Sequence, residues 1–162
     1  MAYWLLKTEP GTYGWDDLVR EGRTFWDGVR NYAARNNLSS MKEGDQAFIY
    51  HSVGPRLLVG VAEIVRAGYP DPTTDNPAWV CVDIVPVSPM PRPVSLDEIK
   101  AHPALTEMAL VKQSRLSVQP VREDEWQLVM SIAETPHPEP EKLARQARKK
   151  APPKKESANP RR

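Results

Sequence analysis

Cysteine is almost absent from the chain. The single thiol, Cys81, excludes an intrachain disulfide and a cysteine-rich zinc site. Histidine is sparse as well, and His51, His102 and His137 are scattered without metal-ligand spacing. The 8 glycines are all isolated, so there is no glycine-rich phosphate loop. No apolar run approaches the roughly 18–20 residues that cross a bilayer. The N-terminal Met1-Ala2-Tyr3-Trp4-Leu5-Leu6-Lys7 lacks the basic segment and long apolar stretch of a signal peptide. These absences predict a soluble, intracellular, cytoplasmic protein, and they imply no cofactor.

What is present is an ordinary globular composition, with 40% hydrophobic and 27% charged residues in a length that suits one domain. The net charge of +1 hides a division. Residues 135–162 carry nine Lys/Arg against three Asp/Glu and six of the 17 prolines, while the rest carries thirteen basic and eighteen acidic residues. So polar a segment buries too little surface to offset the roughly 1–2 kcal/mol per residue of backbone ordering. The sequence therefore divides into a folded body, 1–134, and a basic, proline-rich tail, 135–162, expected to be disordered. Lys142, Arg145 and Lys149 would share one face of a short helix over 141–150. The tail is either a solvated extension or a source of phosphate attraction.

In the body, residues 3–7, 45–52 and 57–65 are short apolar runs, and Gly54-Pro55 between the last two predicts a hairpin. Residues 79–87 alternate as a half-buried strand does. Residues 116–121 make the last strand, held to an edge or bulge by Pro120. Helices are expected over 14–21, ending at Gly22; over 31–42, stopped by Gly44; from the capping box Ser95-Leu96-Asp97-Glu98 to Pro103; and over 123–134. In the last, Trp126, Val129, Met130 and Ala133 make one buried face. Residues 68–78, with three prolines, read as a surface loop in which Asp71 and Asp75 form turns. Strands interleaved with short helices predict an α+β domain built round a small, partly closed β-barrel.

Aromatic residues amount to only 7%, yet five of the twelve are tryptophan. Trp126, Trp4 and Trp79 read as core, and Trp15 as a staple at a helix start. Trp26 differs, because Phe25-Trp26-Asp27-Gly28-Val29-Arg30-Asn31 is crowded with polar groups. A flat ring among donors and acceptors suits a pocket for a nucleobase, although packing would equally account for it. Three asparagines within Asn31-Tyr32-Ala33-Ala34-Arg35-Asn36-Asn37 point to capping or recognition. Arg30 and Arg35 would meet phosphate or, more commonly, pair with acids. His51 and Ser52 are neighbours on a strand and so point to opposite faces, which argues against a Ser/His catalytic pair.

Tyr3-Trp4-Leu5-Leu6-Lys7-Thr8-Glu9-Pro10, Trp15-Asp16-Asp17-Leu18 and Trp26-Asp27-Gly28-Val29-Arg30-Asn31-Tyr32, followed by Ala34-Arg35-Asn36-Asn37, resemble the signature of the EVE domain family. Tyr50-His51-Ser52, Tyr69-Pro70-Asp71-Pro72, Arg92-Pro93-Val94-Ser95-Leu96 and Leu116-Ser117-Val118-Gln119-Pro120-Val121 continue it in order. The resemblance implies a PUA-like fold related to the YTH and ASCH domains, and a non-enzymatic role in binding a modified base of DNA or RNA. It further implies that Trp26 is the first wall of an aromatic cage. Thr8, Asp27, Asn31, His51 and Ser52 would line the cage, with Lys7 and Arg115 facing phosphate. The loop Thr73-Thr74-Asp75-Asn76-Pro77 is shorter than in many members, which leaves the second wall to Tyr69 or Trp79, with Tyr69 preferred. Two other readings stand beside this one: a small-molecule hydrolase of ASCH type using Lys7, Thr8 and Glu63, and a protein-interaction module whose pocket is filled.

Overall fold

The structure, a computed structural model, describes residues 1–135. The rest of the basic tail, including the helix expected over 141–150, lies outside the described residues. In chain order the elements are β1 (Tyr3–Thr8), α1 (Trp15–Glu21), β2 (Thr24–Trp26), α2 (Tyr32–Ser40), β3 (Gln46–His51) and β4 (Leu57–Pro70). There follow β5 (Val80–Ser95), α3 (Leu96–Ala101), a 3-10 turn at Pro103–Leu105, α4 (Ala109–Lys112), β6 (Val118–Val121) and α5 (Glu123–Ala133). The strands form one sheet in the order β2-β5-β4-β3-β1-β6. The fold is α+β as expected, and the two end strands do not pair, so the barrel stays open. β1 runs parallel to β3, and every other pairing is antiparallel.

Both faces of the sheet are covered, which is why its strands read as continuous apolar runs. Side chains alternate along β1: Trp4 and Leu6 join Trp15, Leu18 and Leu38 under α1 and α2. Leu5 turns the other way, to Phe48, Ile99, Trp126 and Val129. There the Trp126 ring stacks on Phe48 at 3.8 Å and on Tyr3 at 4.5 Å. Trp15 is buried against β4, with its ring lying directly over Gly60.

Local signals behave as their chemistry demands. Gly22 ends α1 at φ 77°, in the left-handed region that favours glycine, and its N–H donates to Leu18 O. Ser95 Oγ accepts from Glu98 N at 3.1 Å while the Glu98 carboxylate accepts from Ser95 N at 3.1 Å. Helix α2 ends at Ser40, two residues before the expected Lys42.

Three expectations need correction. First, β4 continues to Pro70 and Asp71 is 1% exposed, so the 68–78 segment is not simply a surface loop. Second, Trp79 is half-buried and precedes β5, so it is not a core strand residue. Third, β5 passes through Pro86, Pro89, Pro91 and Pro93 to Ser95. Its β2 neighbour covers only Val82, Asp83 and Ile84, so beyond them no strand on that side requires a donor from proline.

Candidate functional site

A cavity of about 760 Å³ opens beside the C-terminal end of β1. Lys7 and Thr8 at the end of β1, Thr12 and Tyr13 before α1, Glu21 at its end, the chain from Thr24 to Arg30, and Ser117 form its wall. Trp26 belongs to the short edge strand β2, paired with Val82, and is half-buried against the core that holds Trp4, Leu6 and Trp15. Tyr13 faces it with ring centroids 6.1 Å apart and planes at 82°, so the two aromatics make walls nearly at right angles. The Tyr13 hydroxyl donates to Glu21 Oε1 at 2.9 Å, and its carbonyl accepts from Thr8 Oγ1 at 2.5 Å.

The segment after Trp26 is held from below by Asp71. Gly28, at φ 78°, turns the chain, and its N–H donates to Asp71 Oδ2 at 2.9 Å. Arg30 Nη1 donates to the same oxygen at 3.0 Å, and Thr73 donates its N–H at 2.7 Å and its hydroxyl to the other. Burial by itself would raise the pKa of this carboxyl. The hydrogen bonds from Thr73, Gly28 and Arg30 outweigh it and hold the group at about 2. Arg30 has therefore paired with an acid, the commoner of the two outcomes expected for it.

At the opposite wall the Lys7 N–H donates to Ser117 O at 3.0 Å and Nζ to Ser114 O at 2.6 Å. Burial and the nearby Arg56 both lower the Lys7 pKa.

Of the residues named from sequence, Lys7, Thr8, Trp26 and Asp27 share this wall. Asn31 Oδ1 instead accepts from Ala34 N at 2.9 Å and caps α2. His51 Nε2 accepts from Trp15 N at 3.1 Å at the start of α1, and Ser52 Oγ donates to Thr8 O at 3.3 Å. Burial lowers the His51 pKa, against an opposing pull from Asp16 and Asp17. Tyr69 stands on β4 opposite Cys81, outside the cavity wall. Its hydroxyl donates to Asp83 and its ring lies 3.6 Å from the Arg66 guanidinium. Arg115 is exposed, off the wall and without an ion-pair partner among the described residues.

The hydrolase set is not assembled. Glu63 lies opposite Gln46, which pairs with Tyr3, whereas Thr8 lies opposite His51 five residues further along β1. Sequence reasoning missed Tyr13, Glu21 and Ser117 as wall residues and Asp71 as the support of the wall segment at Gly28 and Arg30. Nothing in their spacing marks them; the aspartate in Tyr-Pro-Asp-Pro was visible but has the composition of a turn. Among the described residues no helix is long and apolar enough to cross a membrane, and no group of three His, Cys, Asp or Glu is placed to hold a metal.

Fold and cavity together define an α+β domain with an aromatic-walled, polar-rimmed pocket at one end of its sheet. The EVE domain profile matches residues 2–132, and the chain belongs to the EVE domain family. It is 39% identical over 166 residues to thymocyte nuclear protein 1 of Rattus norvegicus, covering 82% of this chain and 74% of that protein. The crystal structure of human THYN1 protein in complex with 5-methylcytosine containing DNA superposes with a TM-score of 0.79 at 36% identity, over 85% of this chain and 100% of that one. A YTH domain of Zygosaccharomyces rouxii, 13% identical, shares the fold at a TM-score of 0.50 over 83% of this chain and 87% of its own.

Proposed function

We propose that the chain is a binding module for nucleic acid carrying a modified base, with that base held against Trp26. The observation that carries this reading is the right-angled pair Trp26 and Tyr13 in a cavity whose rim is polar. A base displaced from its stack finds a π-face in Trp26, and the Asp27 and Glu21 carboxylates are acceptors suited to an exocyclic amine such as that of cytosine. Tyr13 takes the place of the second wall. Asn31, His51 and Ser52 support the wall through backbone bonds, and Lys7 and Arg115 meet the phosphates beside it. The human relative bound to 5-methylcytosine DNA supports a methylated cytosine as the first base to try.

Affinity for short oligonucleotides with one 5-methylcytosine, set against the same strands with cytosine, tests this reading. The modified strand is expected to bind more tightly. Trp26→Ala is expected to remove roughly 1–3 kcal/mol of that binding through lost stacking while the protein stays folded. Equal affinity for both strands would sink the proposal, and an unfolded Trp26→Ala variant would make Trp26 a packing residue.

A further inference from the structure

A second aromatic surface lies next to the cavity. Tyr32 opens α2 with 58% of its surface exposed. Its ring sits 4.8 Å from that of Trp79, tilted by 33°. Two guanidinium groups flank the pair: Arg30 lies 5.6 Å from the Trp79 ring and Arg35 5.3 Å from the Tyr32 ring. Both arginines are fixed in place. Arg30 is bonded to the buried Asp71, and Arg35 Nη1 donates to Ala78 O at 3.2 Å. Arg30 also lines the cavity, so the wall of the pocket passes through one side chain into this surface.

We infer that the exposed face of Tyr32 is a stacking platform for the base adjoining the one in the pocket, on the same strand. This rests on the reading of the cavity as a base pocket. A strand that has surrendered one base to a cavity has lost a stacking partner at the neighbouring position, and an exposed ring beside the cavity replaces it. The chemistry fits a nucleobase better than a protein side chain. The ring is backed by Trp79 and edged by Arg35, which has no ion-pair partner among the described residues and suits an anionic strand, and stacking accepts any base because every base has a π-face. The platform therefore adds affinity without adding sequence preference, while selectivity for the modification stays with the pocket.

The test uses the full chain and single-stranded octamers with a central 5-methylcytosine, whose two neighbours are either ordinary nucleotides or abasic sites. For the wild-type protein, abasic neighbours are expected to weaken binding by roughly 5- to 150-fold. Tyr32→Ala is expected to show a loss of similar size on the ordinary octamer and no further loss on the abasic one, and Tyr32→Phe to bind as wild type. The ratio of modified to unmodified affinity should not change in either variant. The inference is overturned if Tyr32→Ala binds the ordinary octamer as wild type does, which would leave the ring to a protein partner. It is equally overturned if the variant loses as much on the abasic octamer, since Tyr32 would then act by bracing the pocket. Failure of the pocket reading has a different signature: loss of discrimination by the wild-type protein, with dependence on the neighbouring bases still present.

Discussion

Protonation of one side chain bears on the start of α1. The Trp15 N–H is among the donors that a helix leaves without an internal partner, and His51 Nε2 accepts it at 3.1 Å. That nitrogen accepts only while unprotonated. Burial depresses the native pKa below 6.5, so the unfolded chain takes up its proton at a higher pH than the folded one. The contribution to stability is thus complete above about pH 6.5 and is lost as pH falls through the lower native value. His51→Gln keeps an acceptor and removes the titration. Melting temperatures between about pH 7 and pH 5 should fall less steeply for the variant than for the wild type. Identical slopes would place the acid sensitivity in another group. The same histidine shows what a sequence conceals at this scale. Trp26 was legible because an aromatic ring in a polar stretch is conspicuous. His51, Asn31 and Ser52 were conspicuous for the same polarity, yet each bonds to a backbone group. A side chain suited to hydrogen-bonding a ligand is equally suited to capping a helix, and composition does not separate the two.

Among the elements, β1, β3, the first half of β4, α3 and α5 were legible from apolar runs, a capping box and helical periodicity, because each carries its signal within its own residues whatever strand or helix it meets. β2 was not, since three residues carry no period and the strand it pairs with, β5, lies far along the chain. The extension of β4 and β5 through prolines was hidden for a related reason: whether a missing donor matters depends on which strand lies alongside. Packing of elements also exposes one position to a sharp test. A Cβ on Gly60 would come within 2.5 Å of the Trp15 ring. Gly60→Ala should therefore push α1 away from β4 and lower stability by about 1–3 kcal/mol in urea denaturation. Trp15→Phe removes the ring atoms in conflict, so the double variant should recover part of the loss relative to the sum of the singles. Strict additivity would mean that the ring and the glycine do not meet.

For the molecule as a whole, the distribution of charge separates two kinds of affinity. The body, with eighteen acidic and thirteen basic residues, has no surplus positive charge to draw a polyanion, whereas the segment after residue 135 has nine Lys/Arg against three acids. Removing residues 136–162 is expected to weaken binding of modified and unmodified strands alike. It should also flatten the plot of log K against log[salt] by about 0.7–0.9 for each phosphate that the shortened chain no longer neutralises. The ratio between the two strands should persist, because the candidate pocket lies in the body; a ratio that collapsed would place the tail inside the recognition step.

The position of β1 between β3 and β6 has a consequence for how the protein comes into being. Lys7 contributes to the cavity from near the start of the chain, and the Ser117 carbonyl that receives its N–H is made 110 residues later. At ordinary synthesis rates of about 5–20 residues per second, the first wall waits roughly 5–20 s for the last. A nascent chain with Trp26 already in place therefore has no complete cavity wall, and the cavity closes abruptly once Ser117 has been made rather than in step with the residues before it.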